Sequence, residues 1–220
     1  MRRIGLILTL LAAGGVWGES PLYWAIANND ALEVWKLTAP EGPPAVLEEN
    51  GLPPPAWAVE RASAEVLEVL AWRGVSLDQV DVHGRNLLYG AAALGRVDLF
   101  DRIAAAGALT TQVDDQGNTL VHAGATAPHL ILVGRLLATG LDATARTNLG
   151  VTPLMRACGA GRSEAVTLLL RWGGVPEDLD FLGRSVRDYA VRSGDTATLS
   201  VIDQALSPWS IGQDGGDPLP

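Results

Sequence analysis

Large aliphatic side chains recur at Leu37, Leu70, Ile103, Leu136, Leu169 and Ile202, and the smallest ones at Ala25, Ala58, Ala91, Gly124, Ala157 and Ala190; both series step by thirty-three residues. A column that demands bulk beside one that demands almost none is what two packed layers of helix require. The outer helix donates large aliphatics to the core, and the inner helix brings its backbone close to its neighbours. Thr147 to Leu179 shows one unit clearly. A turn at Asn148-Leu149-Gly150 leads to Thr152, placed as the N-cap of a helix that opens on Pro153, where a missing N–H loses nothing. Ala157 and Cys158 follow on the inward face, and Gly161 closes this short helix. Ser163-Glu164 opens a second helix carrying Ala165, Val166, Leu168, Leu169 and Leu170, and Gly173 ends it.

Glycine repeats the same step. One series stands at 51, 84, 117, 150 and 183, and another at 74, 107, 140 and 173. The second series falls at helix C′ positions, where the left-handed conformation carries no Cβ penalty. Self-similarity at this period predicts an all-α solenoid, in which each unit buries its apolar face on its neighbours and no single large core is needed.

Gly150-Val151-Thr152-Pro153-Leu154-Met155-Arg156-Ala157 and Asp114-Asp115-Gln116-Gly117-Asn118-Thr119-Leu120-Val121-His122 resemble the ankyrin repeat, with its D-x-x-G-x-T-P-L-H-x-A pattern followed by G and L-L-x-x-G. The resemblance implies about six turn–helix–helix units with short finger turns, at 19–47, 48–80, 81–113, 114–146, 147–179 and 180–206. Departures are informative. Pro53-Pro54-Pro55 replaces Thr-Pro-Leu in the second copy, and Pro128 replaces the glycine between helices in the fourth. Ser185-Val186-Arg187-Asp188 puts charge where the family buries apolar groups, which marks the sixth copy as a C-terminal cap with one face in water. From 207 to 220 the chain is rich in Gly, Pro and Asp and reads as a disordered tail.

Composition narrows the rest. Arg2 and Arg3 precede fourteen uncharged residues, Ile4 to Trp17, ending at Val16-Trp17-Gly18, so residues 1–18 read as a signal peptide cleaved after Gly18. That stretch is shorter than the roughly 20 residues a membrane-spanning helix needs. The expected mature protein is a soluble monomer, periplasmic or secreted, with no membrane association. Without the leader, fourteen basic residues face twenty-five acidic ones, a net charge of −11. With Lys36 the one lysine and the arginines scattered, nucleic acid is not an expected partner. The lone Cys158 cannot form an intrachain disulfide.

Candidate chemistry is sparse. One cysteine and three histidines offer no metal-ligand pattern, and no cofactor is expected. Gly159-Ala160-Gly161-Arg162-Ser163 lacks the lysine and the strand–loop–helix setting of a phosphate loop. Glu48-Glu49 and Asp114-Asp115 read as solvated turn charges, Trp24 and Trp57 as inner-helix core, and Trp72 and Trp172 as either partner anchors or packing at helix ends. In the resemblance, His122 holds the histidine place of the T-P-L-H motif, where the ring bonds backbone near the turn. His83 and Cys158 are the residues a concealed hydrolase site would have to use.

The resemblance also implies where a partner protein would sit: along a concave face made by the turn tips and the exposed side of the inner helices. The corresponding residues are Val82, His83, Arg85 and Leu94, then Asp115, Gln116 and Asn118, then Leu149 and Val151, then Phe181, Leu182 and Arg184, with Ala93, Thr126 and Ala127 beside them. Val, Leu and Phe among them mark either an interaction surface or packing between neighbouring turns. The expected function is a non-enzymatic protein-binding scaffold, which resembles exported bacterial ankyrin proteins. Alternatives are a hydrolase, or an immunity or chaperone-like protein for an exported partner.

Overall fold

The structure, a computed structural model, describes residues 21–38, 59, 64–73, 80, 81, 83–105, 108 and 110–207. The leader, Glu48-Glu49, Pro53 to Pro55, Trp57, Ala58, Val82, Gly51, Gly74, Gly107 and the segment from 208 onward lie outside the described residues. Within them are eleven helices: α1 (Pro21–Ala27), α2 (Ala31–Leu37), α3 (Ala64–Trp72), α4 (Leu87–Leu94), α5 (Val97–Ala105), α6 (Leu120–Thr126), α7 (Leu130–Ala138), α8 (Pro153–Gly159), α9 (Ser163–Arg171), α10 (Val186–Ser193) and α11 (Thr196–Ala205). The described residues form no strand beyond an isolated antiparallel bridge between Leu179 and Ser185.

The helices stack as an all-α solenoid. Inner helices α4, α6, α8 and α10 pack in succession, each against its own outer helix α5, α7, α9 or α11. Leu70, Ile103, Leu136, Leu169 and Ile202 are fully buried, and so are Ala91, Ala157 and Ala190. Gly124 sits where a Cβ would come within 3.2 Å of Leu136 Cδ1, so the small column exists because the large one fills the space in front of it. Local chemistry agrees with the packing. Thr152 Oγ1 accepts from the Met155 amide and Pro153 opens α8, as the cap reading required. The Ser185 hydroxyl and Asp188 carboxylate form a reciprocal capping box at α10, so the charge at 188 serves the helix start.

Two core expectations are corrected. Leu37 is exposed, because Val34 and Thr38, one helical turn apart, take the inward face of α2, and the Thr38 hydroxyl donates to the Val34 carbonyl at 2.7 Å. Trp24 is also exposed. Ala25 and Ile26 hold the inward positions of α1, and successive residues of a helix point about 100° apart. Trp72 is exposed too, its ring 4.8 Å from that of Trp35, over which the Arg73 guanidinium lies at 3.4 Å.

Each buried large aliphatic contributes about 1.5–3 kcal/mol by removal from water. Leu136→Ala is expected to lower unfolding stability by about 2–5 kcal/mol, since α6 and α9, packed on either side of α7, cannot fully close the cavity. Urea denaturation followed by far-ultraviolet circular dichroism checks this. An effect below 1 kcal/mol, as an estimate for a surface change, would contradict the assignment of this column to the core.

Candidate functional site

Four turns carry the candidate contact residues, and all are built alike. In each, the first residue accepts two backbone N–H groups with one oxygen. Asp81 Oδ1 accepts from His83 and Arg85, Asp114 Oδ1 from Gln116 and Asn118, Thr147 Oγ1 from Leu149 and Val151, and Asp180 Oδ1 from Leu182 and Arg184. The backbone closes the same loop: the amides of Asp81, Asp114, Thr147 and Asp180 donate to the carbonyls of Arg85, Asn118, Val151 and Arg184. At the tip the chain takes positive φ, as at Gly150 (75°), where a Cβ would also collide with the Phe181 ring at 2.6 Å.

The aspartates have a second oxygen, and the fifth turn residue bonds to it. Arg85 Nε reaches Asp81 Oδ2 at 2.7 Å, Asn118 Nδ2 reaches Asp114 Oδ2 at 2.8 Å, and Arg184 Nε reaches Asp180 Oδ2 at 2.6 Å. Burial pushes the Asp180 carboxyl up, but the Arg184 amide, the Tyr189 hydroxyl, the Arg184 guanidinium and the Leu182 amide outweigh it and bring the carboxyl down to about 2. Asp81 moves down likewise, its burial overcome by Arg85. Thr147 has no second oxygen, and its fifth residue is the apolar Val151.

This geometry corrects three expectations. Val151 is buried beneath its turn and offers no side chain to a partner. Asn118 is buried as well, because its amide is spent on Asp114. Asp114 itself is a buried turn organiser and no solvated charge. Arg85 and Arg184 are half-buried and held by their aspartates.

Neighbouring turns are joined by backbone. The Asp115 amide donates to the His83 carbonyl at 2.8 Å, Asn148 to Gln116 at 2.9 Å and Phe181 to Leu149 at 2.9 Å. Arg146 adds a strut, bonding the Leu179 and Gly150 carbonyls and Asp178. The tips therefore form a fixed row, on which Leu149, Phe181 and Leu182 are 55%, 69% and 66% exposed. Leu94 is exposed at the last residue of α4, a helix length from the turn before it.

At the other end of the row a cleft of ≈ 230 Å³ gathers His83, Arg85, Asp115 and Gln116 around Asn118 and Asp114, with Tyr89 of α4 and Arg156 of α8 on its walls. Burial, and then the charge of Asp114, push the Tyr89 hydroxyl up to about 12, so it stays a neutral donor. His83 Nδ1 lies 3.6 Å from Asp115 Oδ2, both exposed. That gives a histidine beside a carboxylate, but the cleft lining holds no Ser, Thr or Cys to be activated. Cys158 is buried in α8, with its thiol pushed up to about 12 by burial. Among the described residues no three His, Cys, Asp or Glu side chains converge as a metal site.

Asp81, Thr147, Asp180, Tyr89, Arg146 and Arg156 are not among the contact residues expected from sequence. The turn organisers had a visible signal, since 81, 114, 147 and 180 share the thirty-three-residue step and are occupied by Asp or Thr. Residues 88–180 match the family model for ankyrin repeats in three copies. No curated protein matches the chain.

His122 ties two units together. Its Nδ1 accepts from the Thr119 amide at 3.2 Å, which leaves Nε2–H to donate to the Val151 carbonyl at 3.0 Å. Burial lowers its pKa to about 4, against a smaller opposing effect of the Val151 bond. The unfolded chain takes up this proton near pH 6.5 and the folded chain near 4, so stability present above 6.5 is lost as pH falls toward 4. The expected slope is about 1.4 kcal/mol per pH unit inside that window. Asp180 acts lower, between its ordinary 3.8 and about 2. Urea midpoints at pH 7, 6, 5 and 4 check this: His122→Gln should flatten the fall between 6.5 and 4, and an unchanged slope would contradict it.

Proposed function

We propose that this chain, an all-α solenoid carrying ankyrin repeats, is a non-enzymatic scaffold that holds a partner protein against its row of turn tips. Ankyrin repeats mediate protein–protein binding, and such domains are typically non-enzymatic. The observation that carries the reading is the exposure of Leu149, Phe181 and Leu182 on tips fixed by backbone hydrogen bonds from turn to turn. Large apolar side chains on a rigid support lose little conformational entropy on binding, so a modest contact area gives useful affinity. Aromatic and aliphatic anchors ringed by polar groups such as Asn148, Asp115 and Gln116 have the make-up of a binding surface.

The setting we infer is extracytoplasmic. Arg2 and Arg3 ahead of an uncharged stretch that ends at Gly18 support secretion with cleavage, to the periplasm or beyond. A protein whose partner is also exported then fits best, and an immunity or protective role for that partner is a narrower version of the same reading. Among the described residues no helix is long and apolar enough to cross a membrane.

Phe181→Glu with Leu182→Glu is expected to change unfolding stability by less than about 0.5 kcal/mol, as for exposed positions. The same pair should abolish capture of the partner from a periplasmic extract. A loss of several kcal/mol would show these side chains to be packing between units, and undiminished capture would place the contact elsewhere. After expression in a secreting host, N-terminal mass spectrometry should find a protein starting at Glu19; one starting at Met1 would overturn the export reading.

A further inference from the structure

Building on the scaffold reading, we propose that the cleft at the 81–85 and 114–118 turns receives an Asp or Glu side chain of the bound protein, gripped by Arg156. The other arginines among the described turn residues already have carboxylates: Arg85 has Asp81, Arg146 has Asp178 and Arg184 has Asp180. Arg156 differs. It projects from α8, half-buried, and donates from Nη2 to a neutral acceptor, Asn118 Oδ1, at 2.9 Å. Among the described residues no carboxylate lies within ion-pair distance of it. The Asn118 amide nitrogen in turn bonds the Asp114 carboxylate at 2.8 Å. Most of the guanidinium's donor fork is left for a ligand.

The place suits a carboxylate. A planar fork matches two carboxylate oxygens at once, and partial burial strengthens the pairing relative to open solvent. The Tyr89 ring forms part of the same wall, its hydroxyl turned to Asp114. At ≈ 230 Å³ the cleft is smaller than the roughly 300–1,000 Å³ of small-molecule pockets, and it fits one inserted side chain. The next tips along the row carry Leu149 and Phe181, so the matching surface has an acidic group beside apolar ones. Asp114 in the lining and Asp115 at the rim oppose a carboxylate, but Asp114 is taken up by the amides of its own turn and the Asn118 side chain, and Asp115 Oδ2 has His83 Nδ1 3.6 Å away.

The test pans a phage-displayed library of random dodecapeptides against the full chain. Affinities of the enriched peptides are then measured by fluorescence anisotropy for the wild type, Arg156→Gln, Arg156→Lys, Asp115→Asn and the Phe181→Glu/Leu182→Glu double variant. Glutamine keeps a donor for Asn118 Oδ1, and a thermal melt verifies each fold; should the Gln variant melt early, the Lys variant decides. We expect an Asp or Glu next to large apolar residues in the enriched peptides, with binding at least about tenfold weaker in Arg156→Gln, intermediate in Arg156→Lys and as tight or tighter in Asp115→Asn. A basic consensus weakened by Asp115→Asn, full affinity in both Arg156 variants, or enrichment of no peptide overturns the proposal. Peptides that need Phe181 and Leu182 but not Arg156 overturn this inference alone, whereas peptides indifferent to all three overturn the scaffold surface with it.

Discussion

The structure depends most on one oxygen accepting two backbone amides at the start of each turn. Without Asp81, Asp114, Thr147 or Asp180, the amides two and four residues on would need water, and the turn would lose its fixed shape. With the acceptor in place, the tip is rigid enough for its own backbone to bond the next tip, as Phe181 does to Leu149. The helices set the spacing of the units. The turns convert that spacing into a surface.

The same constraint decides which turn residues a partner could touch. Among the described residues, the second and third stand outward and are exposed, as Leu149, Phe181 and Leu182 show. The fifth lies inward beside the first, and its identity follows from what the first has to offer. An aspartate, with an oxygen to spare, is matched by Arg85, Asn118 or Arg184, whereas Thr147, with none, is matched by Val151. A polar side chain facing Thr147 would be buried without a partner, a cost of about 1–3 kcal/mol. Charge in this region is therefore mostly committed to the fold, and Arg156 stands out because, among the described residues, its side chain bonds a neutral amide and no carboxylate.

Much of the fold was legible in the sequence because burial is periodic: Leu70, Leu136 and Leu169 are inward wherever their unit sits. Thr152 and Pro153 could be read for the same reason, since caps follow from local chemistry alone. The surface was less legible. Asn118 and Val151 read as contacts because their spacing matches exposed places in the family, and only their pairing with Asp114 and Thr147 shows that they point inward. Trp24 and Leu37 misled in the other direction, because α1 and α2 are short helices whose inward faces are already filled by Ala25, Ile26, Val34 and Thr38. The Arg156 cleft joins residues from three units, and no single stretch of sequence displays it.

Amide hydrogen exchange at Asp115, Asn148 and Phe181, followed by NMR, is the most direct test of the row of joined turns. These amides lie outside every helix, yet each donates to the turn before it. The account predicts protection comparable to that of amides in the neighbouring inner helices, released in the same unfolding step. Exchange at the rate of an open surface loop would contradict it, and would leave the tips as independent loops with no fixed surface to offer a partner.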